Sequence, residues 1–457
     1  MSKPLHIIIL AAGEGTRMKS TRPKMLQTVG GRPMLSHLLD TAVSLEPEQV
    51  HVVAGSGLEA VMAACSSYPV NWVHQGERLG TGHAVIQAMP DVPDEAAVLV
   101  LLGDTPLIPA GLLSSMLEQY CSPLSLLTME LEDPTGYGRI LRDPGGNIIG
   151  VIEHRDAGAE QHKIREVNTG IIMADAENLR GWLQRIGCDN ANGEYYLPDI
   201  FSMARAENGE IHGVMAPDAA DLQGANDRKQ LAALERRYQH HMASGLMASG
   251  VQLVDPERVE VRGNVEAGTD VLIDINVVLE GKIGLGDGVV IGPGAVLKDC
   301  ELAAGTRVHA YSVLEGVTTH GACDIGPFAR LRPGTVLSAG CKVGNFVETK
   351  NAQFGEGSKA SHLSYLGDSV IGSTVNIGAG TITCNYDGAN KHRTVIEDDA
   401  FIGSDTQLVA PVTVGRGATI GAGTTVTRDV PADSLTVSRA RQSTIEGWKR
   451  PQKEKVK

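Results

Sequence analysis

The sequence predicts an α/β chain in two unlike halves: a mostly parallel, helix-covered sheet, then a solenoid of short parallel strands, with a long helix between them. Three observations carry this. Short apolar runs alternate with helical patterns up to about residue 228, a helical pattern runs from Arg228 to Gly250, and from about Val259 an aliphatic residue followed by a small one recurs every six residues. The expected boundaries are 1–228, 229–249 and 250–457, the last ending in a basic tail.

In the first half, the runs Leu5–Leu10, Val50–Ala54 and Ala97–Leu102 have the length and composition of buried strands. Between them, Met34, Leu35, Leu38, Leu39 and Ala42 gather on one helical face through spacings of three and four. Alternating strand and helix implies a parallel sheet whose ligands bind beyond the carboxyl ends of its strands. Leu5–Ala12 is short for a signal-peptide core, and the polar GEGTRMKS after it offers no good cleavage site, so it is read as a first strand.

The connector starts at Asn226-Asp227, residues suited to a helix cap. Leu231, Leu234, Tyr238 and Met242 then recur on one face, with Gly245 and Gly250 as expected stops. His240 and His241 do not share a helix face, so a solvated pair is expected rather than a metal site.

In the last half, pairs such as Ile283-Gly284, Ile325-Gly326, Val343-Gly344, Ile371-Gly372, Ile402-Gly403 and Ile420-Gly421 mark the six-residue unit. That period fits neither a helix nor an isolated strand, and suits stacked coils. The aliphatic side chain fills the interior and the small residue lets the chain turn. Coils about 4.8 Å apart would form a prism on the order of 50 Å long.

Composition sets limits. Glycine contributes 54 of 457 residues and aromatics only 4%, which suits a narrow interior that admits Val, Ile and Ala better than rings. A net charge of -14 argues against nucleic acid as a general partner, so anionic ligands require local basic clusters. The seven cysteines at 65, 121, 188, 300, 323, 341 and 384 contain no C-x-x-C pair, and free thiols in a reducing cytoplasm are expected. No apolar run approaches a membrane span.

Chemistry is expected where these patterns are interrupted. LAAGEGTRM (Leu10–Met18) followed by Arg22-Pro23-Lys24 places two glycines and the cations Arg17 and Lys24 after the first strand, where they could cradle phosphates. It is not a Walker loop and lacks the third glycine of the dinucleotide fingerprint. Asp104 follows the strand Ala97–Leu102, well placed to hold magnesium or simply to form a turn. Gln75, Gly80 and Thr81 could meet a base edge, while Gly138, Glu153, Asn168 and Asn226 are isolated polar or small positions beside apolar strands. In the solenoid, Arg332, Lys350, His362 and Tyr365 lie in interruptions, and Ile377 and Ile402 are separated by an excursion of 25 residues.

In this order the segments resemble the sugar-1-phosphate nucleotidyltransferases, whose phosphate loop has the form L-x2-G-x-G-T-R-M…P-K. Joined to the repeat half, nearly the whole chain resembles the family of bifunctional N-acetylglucosamine-1-phosphate uridyltransferases and glucosamine-1-phosphate N-acetyltransferases. The resemblance implies a Rossmann-like nucleotidyltransferase domain, a connecting helix and a left-handed parallel β-helix of hexapeptide repeats. It implies that Leu10, Ala11, Ala12, Gly13, Lys24, Gln75, Gly80, Thr81, Leu102, Gly103 and Asp104 hold UTP. Gly138, Glu153, Asn168 and Asn226 would hold the sugar phosphate, with Asp104 and Asn226 as magnesium ligands and Arg17 and Lys24 as catalytic cations. Leu102 stands where relatives often have tyrosine, and Glu14 where many have lysine, which suggests that position 14 points away from the phosphates.

For the second activity the resemblance implies His362 as base toward the amino group of glucosamine-1-phosphate. Arg332, Lys350, Tyr365 and Asn376 would bind that sugar phosphate, and Ala379, Asn385, Tyr386, Ser404, Ala422 and Arg439 the acetyl-CoA. Ser361 replaces a glycine common before the histidine, which bears on the loop geometry. The resemblance also implies a homotrimer with active sites between subunits; the charged C-terminal tail is expected to be a mobile, solvated end, with a cover for acetyl-CoA in the trimer as the alternative. Two other readings stay open: a single nucleotidyltransferase on a structural prism, and a silent regulatory subunit. A zinc site is not favoured, because His309, His320, His362 and His392 lack regular spacing.

Overall fold

The computed structural model describes residues 3–120, 123–190, 193–207 and 209–451; Cys121 and the last six residues of the basic tail lie outside them. The chain divides into two compact units, Met1–His241 and Met242–Lys457.

The first unit is built on nine strands: β1 (Leu5–Leu10), β2 (Gln49–Ala54), β3 (Asn71–His74), β4 (Ala97–Leu102), β5 (Leu124–Glu130), β6 (Arg139–Arg142), β7 (Ile148–Ile152), β8 (Glu166–Asp175) and β9 (Ile211–Met215). Its helices are α1 (Met34–Ser44), α2 (Leu58–Ala64), α3 (Thr81–Ala88), α4 (Ala110–Glu118), α5 (Ala176–Leu183) and α6 (Asp199–Ala206). The sheet order is β9-β5-β8-β4-β1-β2-β3, with β6 and β7 paired off its path. The β1 run is continuously apolar because both faces are covered. Ile7 and Ile9 pack with Leu35, Leu38 and Leu39 of α1, whereas Ile8 packs on the other face with Val85 and Ala88 of α3.

Parallel β1 has β2 on one side and β4 on the other, so the chain reverses its sideways progress here and leaves a crevice at the carboxyl ends. Leu10 and Leu102 are in register at that edge. Antiparallel β8 then pairs with β4, Ile172 opposite Val100. Because β8 runs the other way, its early residues, including Asn168, arrive at the crevice from the far side.

Helix α7 (Arg228–Ala248) begins with a reciprocal cap: Asp227 Oδ1 accepts from the Gln230 N–H at 2.8 Å, and Gln230 Oε1 accepts from the Asn226 N–H at 2.7 Å. The division between units falls inside this helix. Leu231, Leu234 and Tyr238 join a core with Met18, Val29, Met34 and Ala225, while Leu246 belongs to the core of the second unit. Gly245 lies within the helix rather than ending it, and the stop is Gly250 at φ +99°. His241 is not a solvated bystander either, since its Nε2 lies 3.1 Å from Asp221.

The second unit is a parallel β-solenoid. One sheet stacks eleven short strands in chain order from Gln252–Leu253 to Leu435–Thr436. The registers Ile273, Ile291, Val308, Ile325, Val343, Ala360, Ile377, Ile402 and Ile420 form one ladder of buried side chains. Truncating one of its isoleucines to alanine would cost about 2–5 kcal/mol, because neighbouring coils hold the cavity open. Most steps along this ladder are 17 or 18 residues, and the step from Ile377 to Ile402 carries the excursion.

Candidate active sites in the two units

In the first unit a cleft of about 320 Å³ opens at the carboxyl ends of β1, β3 and β4, lined by Leu10, Ala12, Gly13, Lys24, Gln75, Arg78, Gly80, Thr81, Leu102 and Asp104 among others. Leu10, Thr81 and Leu102 also line an adjoining hollow of about 200 Å³ with Gly138, Glu153, Asn168 and Phe201. Two lobes meeting at a shared rim suit two ligands that must react with each other.

The polar end of the cleft is organised around Lys24. Its side chain is only 7% exposed, and its ammonium donates to Asp104 Oδ2 at 2.5 Å and to Asn226 Oδ1 at 2.8 Å. Residues far apart in sequence thus aim two hard oxygens at one cation. Gly15 makes this possible. It sits at φ +64°, and a Cβ there would lie 2.7 Å from Lys24 Cβ. Gly13, by contrast, would have nothing within 4 Å of an added Cβ and presents bare backbone to open space.

Gln75 is buried, its Nε2 donating to Gly80 O at 3.3 Å and lying 3.0 Å from His83 Nδ1. In the second lobe Gly138 O accepts from the Asn168 N–H at 2.9 Å. Burial first, and then Asp156 and Asp199, push the Glu153 carboxyl above its ordinary range. A Cβ on Gly170 would strike Leu102 Cδ1 at 2.7 Å, so the leucine at 102 fills the rim by packing.

Not every expected residue lines the cleft. Ala11 is buried with its N–H bonded to Val53 O, and Gly103 is walled in by Leu10 O and Met25, so both serve as backbone beneath the cleft. Arg17 lies on an exposed single helical turn, Thr16–Met18, outside the lining residues. Sequence reasoning missed Arg78, which lines the cleft and pairs with Glu14. A lone arginine between two glycines of a loop gave no signal; only its ion pair across to the glycine loop does.

In the second unit the expected residues fall on adjacent ladders. Arg332 N–H donates to Thr349 O, which puts Arg332 beside Lys350, and Lys350 is in register with Gly367. Arg332 also pairs with Glu348 at 3.0 Å, and Glu348 is in register with Tyr365. A Cβ on Gly367 would collide with Tyr365 Oη and Asn385 Nδ2, so both side chains converge over a bare backbone. Asn385 Nδ2 and Asn351 Nδ2 donate to Asp368, at 2.5 and 2.8 Å, with Lys350 Nζ at 4.0 Å. Burial opposes ionisation of Asp368, but these bonds and Lys350 hold its pKa below the usual carboxylate range. Lys391, also missed in the sequence, sits close enough to Lys350 that the neighbouring ammonium lowers its pKa.

His362 is exposed at the end of strand Lys359–His362, and Asn345 is in register with it. Asn345 Oδ1 lies 2.7 Å from His362 Nδ1. An amide oxygen can only accept, so Nδ1 carries the hydrogen and Nε2 is left with a free lone pair. Ala360, Ile377, Ile402 and Ile420 are in register, so two residues on, His362, Ala379, Ser404 and Ala422 follow one another up a corner. Asp405 N–H to Ala379 O and Gly423 N–H to Ser404 O tie those steps together. Arg439 ends the row, its Nη2 3.7 Å from a Cβ placed on Gly421. Tyr386 is exposed on the excursion, and Asn376, in register with Lys359, stands on the face leading to the corner.

Among the described residues, no group of three or more His, Cys, Asp or Glu is arranged to hold a metal. Instead His309 pairs with Asp324 and His392 with Asp387. No helix among them is long and apolar enough to cross a membrane.

Residues 7–132 match the MobA-like NTP transferase domain, and residues 393–428 match the bacterial transferase hexapeptide with six repeats. Among curated proteins, the bifunctional protein GlmU of Alkalilimnicola ehrlichii is 57% identical over 99% of this chain and 97% of its own length. The protein of the same name in Stenotrophomonas maltophilia is 56% identical over 99% of this chain and all of its own. That of Marinobacter nauticus is 52% identical over 98% of this chain and 99% of its own.

Proposed function

The chain belongs to the family of bifunctional GlmU proteins, and from that premise we propose how its residues divide the work. It is a bifunctional transferase of UDP-N-acetylglucosamine synthesis. The solenoid unit transfers acetyl from acetyl-CoA to glucosamine-1-phosphate, and the first unit transfers UMP from UTP to N-acetylglucosamine-1-phosphate, releasing pyrophosphate.

In the first unit, UTP lies in the larger cleft and the sugar phosphate in the adjoining lobe. Gln75 has its amide hydrogens directed at Gly80 and His83, which leaves Oε1 to accept from the N3–H of uracil. The phosphate oxygen of the sugar attacks the α-phosphorus and pyrophosphate leaves in line; no side-chain nucleophile is needed. Lys24 offsets charge at the reacting phosphates, and Arg17 reaches them from its exposed turn. The raised Glu153 carboxyl can donate as well as accept toward sugar hydroxyls.

Asp104 and Asn226 would hold magnesium. A carboxylate and an amide oxygen already converge on one cation, Lys24 Nζ, and such hard oxygens are the donor type magnesium takes. When bound it would supply positive charge that offsets the negative charge developing on the phosphates.

In the second unit, His362 Nε2 takes the proton from the amine as it attacks the thioester, and coenzyme A leaves as the thiol. Asn345 fixes the ring's tautomer. Arg332, Lys350 and Lys391 bind the sugar phosphate, Tyr365 and Asn376 position the sugar, and acetyl-CoA runs up the row Ala379, Ser404, Ala422 to Arg439, flanked by Asn385 and Tyr386. We assign a homotrimer. Tyr311, Phe328, Phe346 and Leu363 are between 47% and 62% exposed, the first three stacked at 5.5 Å centroid spacing, on a corner that ends one residue from His362. Such an apolar ridge beside the base supports an active site closed by a neighbouring subunit. Buried, unpaired thiols at Cys65, Cys300, Cys323 and Cys341 fit a reducing cytoplasm.

The convergence of Lys24, Asp104 and Asn226 at the cleft end carries the uridyl-transfer reading. Supplying the purified protein with UTP, magnesium and glucosamine-1-phosphate tests the order of steps. Pyrophosphate should appear only after acetyl-CoA is added, and supplying N-acetylglucosamine-1-phosphate should remove that requirement. Pyrophosphate release from glucosamine-1-phosphate at the full rate without acetyl-CoA would contradict the order.

A further inference from the structure

Arg78, which lines the cleft of the first unit, makes an ion pair that the reaction described above does not use. Arg78, on the loop between Gln75 and Gly80, reaches Glu14, on the glycine loop that follows β1. Both side chains are about half exposed, 40% for Arg78 and 46% for Glu14. Glu14 follows Gly13, whose bare backbone faces open space, so the guanidinium stands at the phosphate end of the cleft rather than against the base pocket.

Charge accounting singles this arginine out. The cations lining the cleft are Lys24 and Arg78, and the Lys24 charge is already matched by Asp104 at 2.5 Å. A nucleoside triphosphate carries most of its charge on the two phosphates that leave. Lys24, at the Asp104 end, suits the reacting phosphate and the metal, and Arg17 approaches from an exposed turn outside the lining, so Arg78 is the lining cation left for the distal phosphates. Its present partner is easily surrendered: exposed carboxylate–guanidinium pairs contribute little net stability, whereas a diphosphate offers a guanidinium two-pronged, doubly charged acceptors.

We propose that Arg78 is a further binding residue, beside Arg17 and Lys24, for the β- and γ-phosphates of the triphosphate and for the pyrophosphate product, and that Glu14 is its resting partner. Before triphosphate enters, Glu14 holds the guanidinium at the edge of the cleft. When triphosphate enters, the guanidinium exchanges the Glu14 carboxylate for phosphate oxygens. As pyrophosphate departs, Glu14 takes the guanidinium back and so competes with product retention. This gives the acidic residue at position 14, set among phosphate-binding positions, a role that a lysine there could not fill.

The inference rests on the reading of this cleft as a nucleoside triphosphate site, and the test separates the two. Binding of UTP, pyrophosphate and UMP is measured by calorimetry in magnesium buffer for the full-length wild type, Arg78→Ala and Glu14→Gln, with an unchanged denaturant midpoint by Trp72 and Trp182 fluorescence as the control that the first unit is folded. Arg78→Ala should weaken UTP and pyrophosphate about tenfold or more while changing UMP less than about twofold. Glu14→Gln should tighten pyrophosphate by about threefold and slow its release. A wild type that binds no UTP overturns the cleft reading itself. A wild type that binds UTP while Arg78→Ala binds UTP and pyrophosphate equally well overturns the inference alone. An Arg78→Ala loss as large for UMP as for UTP overturns the assignment to the distal phosphates, and weaker pyrophosphate binding in Glu14→Gln overturns the resting-partner role.

Discussion

Replacing Lys24 by methionine keeps the length of the side chain and removes its charge from between Asp104 and Asn226. The 2.5 Å contact implies about 7 kcal/mol of gross attraction at an effective dielectric near 20. Most of that is offset by desolvation, since the lysine side chain is 7% and the aspartate 18% exposed. What the variant must bear is the carboxylate left without a partner, and partial access to water sets this near the lower end of the usual range, about 3 kcal/mol. Denaturant midpoints followed by the fluorescence of Trp72 and Trp182 would read it. Because Asp104 and Asn226 present oxygens suited to a divalent ion, magnesium should restore part of the loss in the variant while affecting the wild type less. Pyrophosphate release should fall about 10²–10³-fold, as for loss of one oriented charge at the reacting group. Thiol release should be unchanged. A variant as stable as the wild type, indifferent to magnesium, would refute the claim that Lys24 occupies the cation position between these two oxygens.

Three other expectations follow from single contacts. Gly15→Ala puts a methyl 2.7 Å from Lys24 Cβ at a left-handed φ, a conformation costing about 1–2 kcal/mol for other residues; pyrophosphate release should drop about tenfold with acetyl transfer intact, as separate end-point assays would show. Asn345→Ala frees the His362 ring and should lower kcat for acetyl transfer about tenfold with little change in KM for the sugar phosphate. Asn345→Asp should instead move the acid limb of the pH–rate profile upward, because a carboxylate favours the protonated imidazole, and an unmoved limb would count against His362 as the base. His51, buried against His6, has its pKa lowered to about 4 by burial first and by His6 second. Its folded value lies below the unfolded 6.5, so its contribution is complete above pH 6.5 and is lost as pH falls toward 4. The unfolding free energy of the first unit, from denaturant melts, should drop over that window by up to about 3 kcal/mol, and less so in His51→Asn.

The solenoid was legible because its physics is local and repeated: one aliphatic residue per short strand, visible as a period of six, fixes the coil. The ladder His362, Ala379, Ser404, Ala422 shows how far this goes, since once the register is known, residues with no motif in common turn out to be stacked neighbours. The first unit was legible in its strands and loops, but not in antiparallel β8, because strand direction leaves no trace in apolar composition. Asn345, Lys391 and Arg78 were missed for a shared reason: each acts through a partner 17 to 64 residues away, at Asn345–His362 and Glu14–Arg78 for example, and spacing carries no record of such pairs. Helix α7 followed its predicted face, yet its glycine at 245 did not end it; Gly250 alone has the positive φ of a terminator.

The central claim is that two independent sites, one in each unit, carry consecutive reactions. The most direct measurement is a pair of variants, Asp104→Ala and His362→Ala, each assayed for thiol release from acetyl-CoA with glucosamine-1-phosphate and for pyrophosphate release from UTP with N-acetylglucosamine-1-phosphate. Asp104→Ala should abolish pyrophosphate release and spare thiol release, and His362→Ala should do the reverse. Loss of both activities in either variant, or thiol release that survives His362→Ala unchanged, would contradict it.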